Sequence, residues 1–361
     1  MTNGSRGRGV GRATHPTILD VAAKAGVSKS LVSLALRGDP RVRDEKRRAV
    51  LRAAKQLGYR PNAVARFLVE KRTNVIGVML SDLHNLYFVE VVDGIESAAS
   101  SAEYRALINT GGRLPDREWE ALETLLQLRT DGVILAGTVL PTARILAAAN
   151  SVPLVLVART TRSSSVDSVA NDDRAGARLA VEHLVSLGHR RIAHVDGGDG
   201  AGAQARRRGF LEAMGDKGLA TSAAVVRGDY TEAGGASGID RLLARGRPPT
   251  AVFVANDLAA VGALHALERQ GLRVPEEVSV VGYDNTALAA LGHISLTTID
   301  QPRRKLGAMA VQLLLERLEN GRQRARHVIL PPSLVVRGTT APPAPRSGAQ
   351  IPSASSPIKG S

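Results

Sequence analysis

The sequence of 361 residues lacks cysteine altogether, so it can form neither disulfide bonds nor thiolate metal sites. Aromatic residues are scarce, at four Phe, five Tyr and one Trp. No apolar stretch approaches the roughly 20 residues that a membrane-spanning helix requires, and the N-terminus has no apolar segment like that of a secretory signal. These absences predict a protein of the reducing cytoplasm that does not enter a membrane.

Positive charge is concentrated in the first fifth of the chain. Residues 1–72 contain 17 Lys and Arg against 5 Asp and Glu, whereas residues 73–361 contain 31 against 29. A run of charge is often only a solvated surface. When such a run faces DNA, however, each Lys or Arg that neutralises a phosphate releases a counterion. The residue pattern within this segment distinguishes a solvated surface from a DNA-binding surface.

The basic segment begins with the pattern of a helix-turn-helix. Thr17 can cap a first helix, with an acidic residue three positions later to complete a capping box, and Gly26 ends that helix. Ser28 can cap a second helix over residues 29–37, which glycine again ends. A third helix is expected over residues 44–57. Because a helix-turn-helix coincides with the positive charge, DNA binding is the better interpretation.

After this segment the sequence alternates short apolar runs with helical stretches. Such alternation predicts a parallel sheet that helices cover on both faces. The pattern restarts after a Ser/Thr-rich break at residues 160–165, so we expect two doubly wound lobes with a ligand cleft between them. The predicted strands lie near residues 75–80, 105–108, 132–135, 154–157, 192–195, 225–227, 251–254, 278–281 and 334–336.

These patterns divide the chain into five parts. The predicted parts are a disordered basic tail at 1–15, a helix-turn-helix domain at 16–60, a hinge helix and linker at 61–73, a two-lobed core at 74–340, and a disordered tail at 341–361. Lobe 1 is expected to comprise about residues 74–165 and 297–325, and lobe 2 about residues 166–296 and 326–340.

Two other classes of protein share some of these features. The segment G-G-D-G-A-G-A at residues 197–203 resembles the glycine-rich loop of a nucleotide-dependent enzyme, but it does not match G-x-G-x-x-G, and a flexible loop at the cleft is the simpler interpretation. No G-x-S-x-G, P-loop or H-E-x-x-H motif is found. A solute-binding protein for transport would also have two lobes, although the basic segment and the missing signal argue against it.

Seven segments, taken in order, resemble the LacI/GalR family of bacterial transcriptional repressors, from about Thr17 to Thr340. They are D-V-A-A-K-A-G-V-S, L-G-Y-R-P-N-A-V-A-R, I-G-V-M-L, H-L-V-S-L-G-H-R-R-I, F-V-A-N-D-L-A-A-V-G-A-L, V-P-E-E-V-S-V-V-G-Y-D-N and L-T-T-I-D-Q-P. The resemblance implies a small all-α head followed by an α/β core like the type I periplasmic sugar-binding proteins. It further implies a nucleoid-associated homodimer on operator DNA, without catalytic activity or cofactor, controlled by a small effector that is expected to be a sugar.

The resemblance also assigns DNA contacts residue by residue. The matching positions are Thr17, Ser28, Ser33 and Asn62 for the DNA backbone, Lys29, Ser30 and Leu34 for the bases, and Ala65 and Leu68 for the hinge. Leu68 is expected to insert into the minor groove and to kink the duplex. The family usually has Thr where Leu31 stands and very often Arg where Leu34 stands. Leucine offers only an apolar contact, for example to a thymine methyl group.

For the effector, the resemblance assigns eight residues to the cleft. They are Tyr87, Phe88, Arg159, Asp172, Arg206, Tyr230, Asn256 and Asp284. Tyr87 and Phe88 could equally be core residues on sequence alone, and the ring of Tyr230 could stack on a sugar or a base. Relatives often carry Asp or Gly where Ala158 stands. Asp257 is expected to cap the following helix rather than to contact a ligand.

Overall fold

The computed structural model describes residues 16–59, 72–246 and 248–344. The chain forms two compact units, one up to Thr73 and one from Asn74 onward, which are described here separately as the head and the core. Asn62, Ala65 and Leu68 lie outside the described residues, as do the two predicted disordered tails except for residues 341–344. None of the described helices combines the length and apolar composition needed to cross a bilayer.

The head consists of three helices, α1 (Ile18–Ala25), α2 (Lys29–Leu36) and α3 (Asp44–Leu57). Thr17 and the third helical residue of α1 form the predicted capping box, and Gly26 ends α1 in the left-handed region at φ 64°. The Ser28 hydroxyl caps α2 by accepting a hydrogen bond from the N–H of Leu31 at 3.2 Å. Val21, Val32 and Val50, one from each helix, are fully buried against one another. The helix-turn-helix is therefore present as predicted.

The capping box at α1 gives a first testable prediction. Thr17→Ala should destabilise α1 by about 1 kcal/mol, because alanine cannot accept a hydrogen bond from the N–H of Asp20. Amide hydrogen exchange in α1 measures this local stability, and Thr17→Ser, which keeps the hydroxyl, is the matched control. Equal exchange rates in the Ala and Ser variants would contradict the prediction.

Lobe 1 of the core is a six-stranded parallel sheet with strand order β11-β5-β4-β3-β1-β2. Its strands are β1 (Val75–Leu80), β2 (Arg105–Thr110), β3 (Gly132–Ala136), β4 (Leu154–Val157), β5 (Asp167–Asn171) and β11 (His327–Leu330). Its helices are α4 (Leu86–Ser101), α5 (Pro115–Gln127), α6 (Thr142–Ala149) and α11 (Arg303–Asn320). The late helix α11 packs on α4 and on β3, β4 and β5, so the end of the chain completes lobe 1.

Lobe 2 repeats this architecture with strand order β12-β10-β9-β8-β6-β7, in which only β12 is antiparallel. Its strands are β6 (Ile192–Val195), β7 (Ala223–Val226), β8 (Ala251–Val254), β9 (Ser279–Asp284), β10 (Thr297–Asp300) and β12 (Ser333–Val335). Its helices are α7 (Asp173–Ser186), α8 (Ala203–Asp216), α9 (Glu232–Leu243) and α10 (Asp257–Arg269). The chain thus passes between the lobes three times, after β5, after β10 and between β11 and β12.

The predicted lobe boundaries are wrong at these crossings. Strands β5 and β11, which were assigned to lobe 2, pair in the lobe 1 sheet, and β10, which was assigned to lobe 1, pairs in the lobe 2 sheet. The sequence analysis identified none of the three as a strand, because D-S-V-A-N, T-T-I-D and H-V-I-L contain no long apolar run. The Ser/Thr-rich break is only a loop before β5, and the chain crosses to lobe 2 after that strand.

Candidate functional site

The carboxyl ends of the parallel strands of both lobes meet at a cleft that contains a cavity of about 40 Å³. Five of the eight predicted effector residues line this space together. Tyr87 and Phe88 come from lobe 1, and Arg206, Tyr230 and Asp284 come from lobe 2. This volume is below the range of about 300–1,000 Å³ found for small-molecule sites, so a ligand of that size requires the lobes to move apart. We call this cavity the first chamber.

Tyr87 and Phe88 are both core residues and cavity residues. They begin α4, where the Asn85 side chain accepts a hydrogen bond from the N–H of Tyr87 at 3.0 Å. Their rings meet edge to face, with centroids 5.1 Å apart. Only 4% of Tyr87 is exposed, and its hydroxyl has no hydrogen-bond partner among the described residues. Burial and the carboxylates of lobe 2 raise the pKa of Tyr87, so the hydroxyl stays protonated and can donate.

Arg206 is a buried cation held in place by several groups. Its Nε donates to Asp173 Oδ1 at 2.9 Å, and its Nη1 donates to the carbonyl oxygen of Ala255 at 2.5 Å. The guanidinium carbon lies 3.7 Å from the centre of the Tyr283 ring. Burial alone would lower the pKa of Arg206, but the surrounding tyrosines and carboxylates raise it overall. The side chain is thus a fixed charge with rigid donors, suited to binding paired oxygen atoms.

Asp284 ends β9 and lies opposite this cation. Its Oδ1 is 3.8 Å from Arg206 Nη1 and accepts a hydrogen bond from the Gln301 amide at 2.5 Å. Burial, together with the negative charge of Asp257, raises the pKa of Asp284 to about 8. Its backbone φ is 107°, a value that residues with a side chain rarely adopt. Local backbone strain of this kind is often found at functional sites. A neutral carboxyl group here can both donate to and accept from a ligand hydroxyl.

The raised pKa of Asp284 predicts a pH dependence of stability. A carboxyl group that is harder to ionise when folded stabilises the protein below its unfolded pKa of about 3.9. This contribution is lost as the pH rises toward the folded value of about 8. Asp284→Asn should therefore flatten the decline in melting temperature between those pH values. Asp216→Asn, at an exposed position, is the control, and parallel curves for Asp284→Asn and the wild type would refute the prediction.

Tyr230 forms the aromatic wall of lobe 2. Its hydroxyl donates to the carbonyl oxygen of Ala201 at 2.7 Å, and the Arg206 guanidinium lies 5.5 Å from its ring centre. The ring packs so closely on Gly200 that a Cβ atom at that position would collide with it. This contact gives a structural reason for glycine in the G-G-D-G-A-G-A segment, which lies at the cleft as the sequence analysis favoured.

Asn256 and Asp257 lie together at the start of α10, and the helix cap predicted at Asp257 needs correction. Asn256 caps α10 by accepting from the N–H of Ala259 at 2.9 Å, and it lines no part of the cavity. Asp257, expected to be the cap, is instead the first helical residue. Its carboxylate accepts from the N–H of Thr286 at 2.6 Å and from the hydroxyl of Thr298 at 2.6 Å. The helix begins one residue earlier than predicted, and Asp257 joins it to the loop after β9 and to strand β10.

Arg159 and Asp172 lie outside the first chamber but line a second, wider one of about 740 Å³ that opens to solvent. Arg159 Nη1 donates to the carbonyl oxygens of Thr138 at 3.1 Å and Leu140 at 2.6 Å. Asp172 caps α7 by accepting from the N–H of Ala175 at 2.9 Å. The eight predicted effector residues thus divide among two adjoining chambers and one helix cap.

Glu118 is a fully buried carboxylate of α5 for which the sequence predicted no role at the cleft. It accepts hydrogen bonds from the hydroxyls of Ser81 and Thr138, each at 2.7 Å, and from the N–H of Val139 at 2.9 Å. These contacts hold the loops after β1 and β3, both of which reach the cleft. No pattern marked this residue, since a Glu within a charged helix normally faces solvent.

In the head, the predicted DNA contacts fall into two groups. Thr17, Ser28, Lys29 and Ser30 are exposed. Ser33 and Leu34 are partly buried, and the Leu34 side chain packs against the head core. The exposed N-terminal end of α2 therefore carries polar and cationic groups next to a partly accessible apolar one.

Comparison with known proteins extends the likeness over nearly the whole chain. The model of bacterial regulatory proteins of the lacI family matches residues 17–62, and that of the periplasmic binding protein-like domain matches residues 181–340. Catabolite control protein A of Priestia megaterium is 34% identical over 328 residues, which is 90% of this chain and 99% of that protein. This chain belongs to the LacI family.

Other LacI-family members support the same assignment. The ribose operon repressor of Haemophilus influenzae is 35% identical over 323 residues, covering 89% of this chain and 97% of that protein. The solved lac repressor dimer bound to operator and the anti-inducer ONPF has a TM-score of 0.81 at 32% identity, covering 91% of this chain and all of that one. The complex of the regulator CelR with cellobiose has a TM-score of 0.67 at 31% identity, covering 90% and 99%.

These relatives confirm the family and the fold class that the sequence predicted. The protein is a LacI-family transcriptional regulator with an effector-binding core, and it is not an enzyme.

Proposed function

We propose that this LacI-family regulator is a repressor that binds a pseudo-palindromic operator as a homodimer and is controlled by a sugar in the cleft. The first chamber is the observation that carries this proposal. It combines the fixed cation of Arg206, the carboxyl group of Asp284, the aromatic ring of Tyr230 and the unpartnered hydroxyl of Tyr87. Sugars present adjacent hydroxyls and an apolar ring face, which these groups can hydrogen-bond and cover.

The relatives support a sugar as the class of effector. One is named a ribose operon repressor, and another was solved as a complex with cellobiose. The five predicted residues that line the first chamber are proposed as primary effector contacts. Arg159 and Asp172 are proposed as contacts in the second chamber. Asn256 would act on the effector through Tyr230, whose backbone carbonyl accepts from its amide at 3.3 Å.

The proposed DNA contacts start from the N-terminal end of α2. Lys29 and Ser30 are exposed there, as base reading requires, and the hydroxyls of Thr17 and Ser28 lie exposed at the starts of α1 and α2. Ser33 is proposed as a further phosphate contact. Leu34 packs partly against the head core, so it would present a short apolar surface to the major groove. Two such heads would occupy successive major grooves about 34–36 Å apart.

The surface of lobe 1 supports a homodimer. Leu83, Leu86 and Val89, near the start of α4, expose 54%, 38% and 48% of their surface. Leu107 and Ile108 are also exposed, on β2, the edge strand of the sheet. Apolar side chains on an open edge strand favour association, so a second copy of the core is the proposed cover.

The proposed mechanism couples the cleft to the DNA through the hinge. Arg206 and Asp284 from lobe 2 face Tyr87 and Phe88 from lobe 1 across the first chamber, so a bound effector would change the angle between the lobes. This change would alter the spacing of the two hinge segments at residues 61–73. Effector binding thereby shifts the equilibrium between the DNA-bound and free states by its differential affinity for the two.

Selection from a random pool of DNA duplexes tests the operator proposal. The full chain should enrich an inverted repeat, and its affinity should fall by roughly a thousandfold or more between about 50 mM and 200 mM salt, if it neutralises at least six phosphates. Enrichment of no sequence, or an affinity that does not depend on salt, would contradict the proposal.

The hinge provides a separate prediction. Leu68→Ala should weaken binding to the selected operator by at least about tenfold, or ~1.4 kcal/mol, because the minor-groove wedge is lost. The melting-temperature increase produced by an effector sugar should be unchanged, since the core is intact. Loss of both properties would contradict a hinge role for Leu68. It would indicate a general folding defect instead.

A further inference from the structure

A third cavity lies in lobe 1, beside the second chamber. It encloses about 400 Å³, which is within the range of about 300–1,000 Å³ found for small-molecule sites. Its walls come from the first five residues of α6, from β4 and from residues 159–162, which follow β4. We call this cavity the side pocket. Because all of its lining residues belong to lobe 1, its shape does not depend on the angle between the lobes.

Arg159 is a partly buried cation that neutral groups hold in place. Its Nη1 donates to the carbonyl oxygens of Thr138 at 3.1 Å and Leu140 at 2.6 Å, and its Nη2 donates to the hydroxyl of Thr142 at 3.1 Å. The buried carboxylate of Glu118 fixes the same loop from the interior by accepting from the Thr138 hydroxyl at 2.7 Å. The guanidinium is therefore rigid, and its position at the side pocket is set before a ligand binds.

The positive charge of Arg159 has no anionic hydrogen-bond partner. In the part of the chain that the structure describes, its hydrogen bonds go to three neutral oxygen atoms and none goes to a carboxylate. Burial lowers the pKa of Arg159, even though the more distant negative charge of Glu118 acts in the opposite direction. Two of its N–H donors, one on Nε and one on Nη2, take no part in these bonds and remain for a ligand.

The other polar side chains of the side pocket can also donate. Arg162 is an exposed cation that makes no hydrogen bond or ion pair with another described residue. The Thr161 hydroxyl accepts from the N–H of Ser163 at 3.1 Å, and that of Thr142 accepts from Nη2, so both hydroxyl hydrogens are left to donate. The lining contains no Asp or Glu. Two cations and several hydroxyl donors without a carboxylate favour an anion.

Two further features restrict the kind of anion. Helix α6 begins at Thr142, and no side chain caps that end, so the positive end of the helix dipole adds to the two cations. Ile145 and Leu156 supply an apolar wall opposite these charges in composition, although little of either side chain is exposed. An oxyanion with a short hydrocarbon body therefore matches the lining.

We propose that the side pocket binds a small organic anion through a carboxylate or phosphate group, with Arg159 and Arg162 as the cationic contacts. The Ser/Thr-rich segment after β4 supplies three lining residues, at positions 160–162, and so has a role beyond that of a connecting loop. The side pocket shares no lining residue with the first chamber, so this anion goes beyond the proposed sugar effector and is independent of it. Arg159 also lines the second chamber, which places the anion next to the cleft.

Calorimetric titration of the full chain at about 150 mM salt tests this proposal. The probes are inorganic phosphate, phenyl phosphate, benzoate and benzyl alcohol, which has the ring of benzoate without its charge. At least one of the three anions should bind with a Kd below about 1 mM, and benzyl alcohol should not. Preference for phenyl phosphate or for benzoate would identify the phosphate or the carboxylate as the recognised group. Binding of none of the anions, or equally tight binding of benzyl alcohol, would overturn the proposal.

Substitution of Arg162 locates the bound anion. Arg162→Gln should weaken its binding at least about tenfold, because a hydrogen bond to a charged group is lost, and Arg162→Lys, which keeps the charge, should weaken it less. Arg117→Gln is the matched control, since Arg117 is exposed in lobe 1 and lines none of the three cavities. Equal affinity of the wild-type and Arg162→Gln chains would place the anion elsewhere and overturn the assignment.

The outcomes are distinct from those that test the proposed function. Arg162 is exposed and makes no polar contact with another described residue, so loss of anion binding in Arg162→Gln reports on the pocket and not on folding. Anion binding that is lost in Arg206→Ala but kept in Arg162→Gln would assign the anion to the first chamber and contradict the side pocket. Failure of the wild-type chain to bind operator DNA or a sugar would contradict the proposed function alone.

Discussion

Replacing Arg206 with alanine should abolish the effector response while DNA binding persists. The guanidinium is the only cation that lies within 4 Å of Asp284 in the part of the chain that the structure describes, and it also donates to Asp173 at 2.9 Å. Each hydrogen bond from a charged group to the effector contributes about 1.5–3 kcal/mol, which is equivalent to roughly tenfold or more in affinity. The Asp173 and Asp284 carboxyl groups also lose their partner, a cost that falls on the stability of the core.

The measurement is the change in affinity for operator DNA as the proposed effector sugar is added. Arg208→Ala is the matched control, since Arg208 lies on the same helix but is exposed and lines neither chamber. The control should respond as the wild type does. A normal response from Arg206→Ala would contradict the assignment of this residue to the effector site. Loss of DNA binding in that variant would indicate that the core no longer folds.

Among the predicted substitutions, Asp167→Ala should produce the largest loss of folding stability. Its carboxylate is fully buried and accepts hydrogen bonds from Arg317 Nε at 2.6 Å, Arg322 Nη2 at 2.8 Å and the N–H of Arg326 at 2.6 Å. Burial alone would raise the pKa of Asp167, but these donors lower it overall. Removing the carboxylate leaves two arginines without their shared partner, which costs about 3–5 kcal/mol for a buried pair.

Chemical denaturation of the full chain measures this loss. Asp216→Ala is the control, because Asp216 pairs with Arg178 at 2.7 Å on an exposed surface, where such pairs contribute about 0–1 kcal/mol. Since the pKa of Asp167 is lowered on folding, its contribution should be present at neutral pH and should disappear as the pH falls below the unfolded value. Similar losses in the two variants would contradict the assignment.

The head could be derived from sequence almost residue by residue. Capping by Thr17 and Ser28 and the turn at Gly26 depend on residues at most five positions apart, and the structure forms each of them. The charge distribution and the strand–helix alternation likewise depend on neighbouring residues. Local patterns of this kind therefore determined the helix-turn-helix and the α/β character of the core, whereas the family was identified from the resemblance of seven segments.

The effector site was predictable only in part. The family resemblance selected Tyr87, Arg206 and Asp284, which the fold brings to one cavity from segments far apart in the chain. It did not separate Asn256, which caps a helix, from residues that line the cavity. Neither the local sequence pattern nor the family resemblance identified Glu118, because its three hydrogen-bond partners lie 20 or more residues away.

The tertiary structure alone decided which lobe each strand joins and how the cleft divides into two chambers. Asp167 joins lobe 1 through arginines 150 and 155 residues later, and Asn171 reaches Tyr283 across 112 residues. Contacts over such distances leave no periodicity or spacing in the sequence. The sequence by itself determined the helices, most of the strands and the class of regulator that they build, since helix caps, charge and alternation act locally. Only folding decided which elements pair, because pairing depends on packing between distant segments.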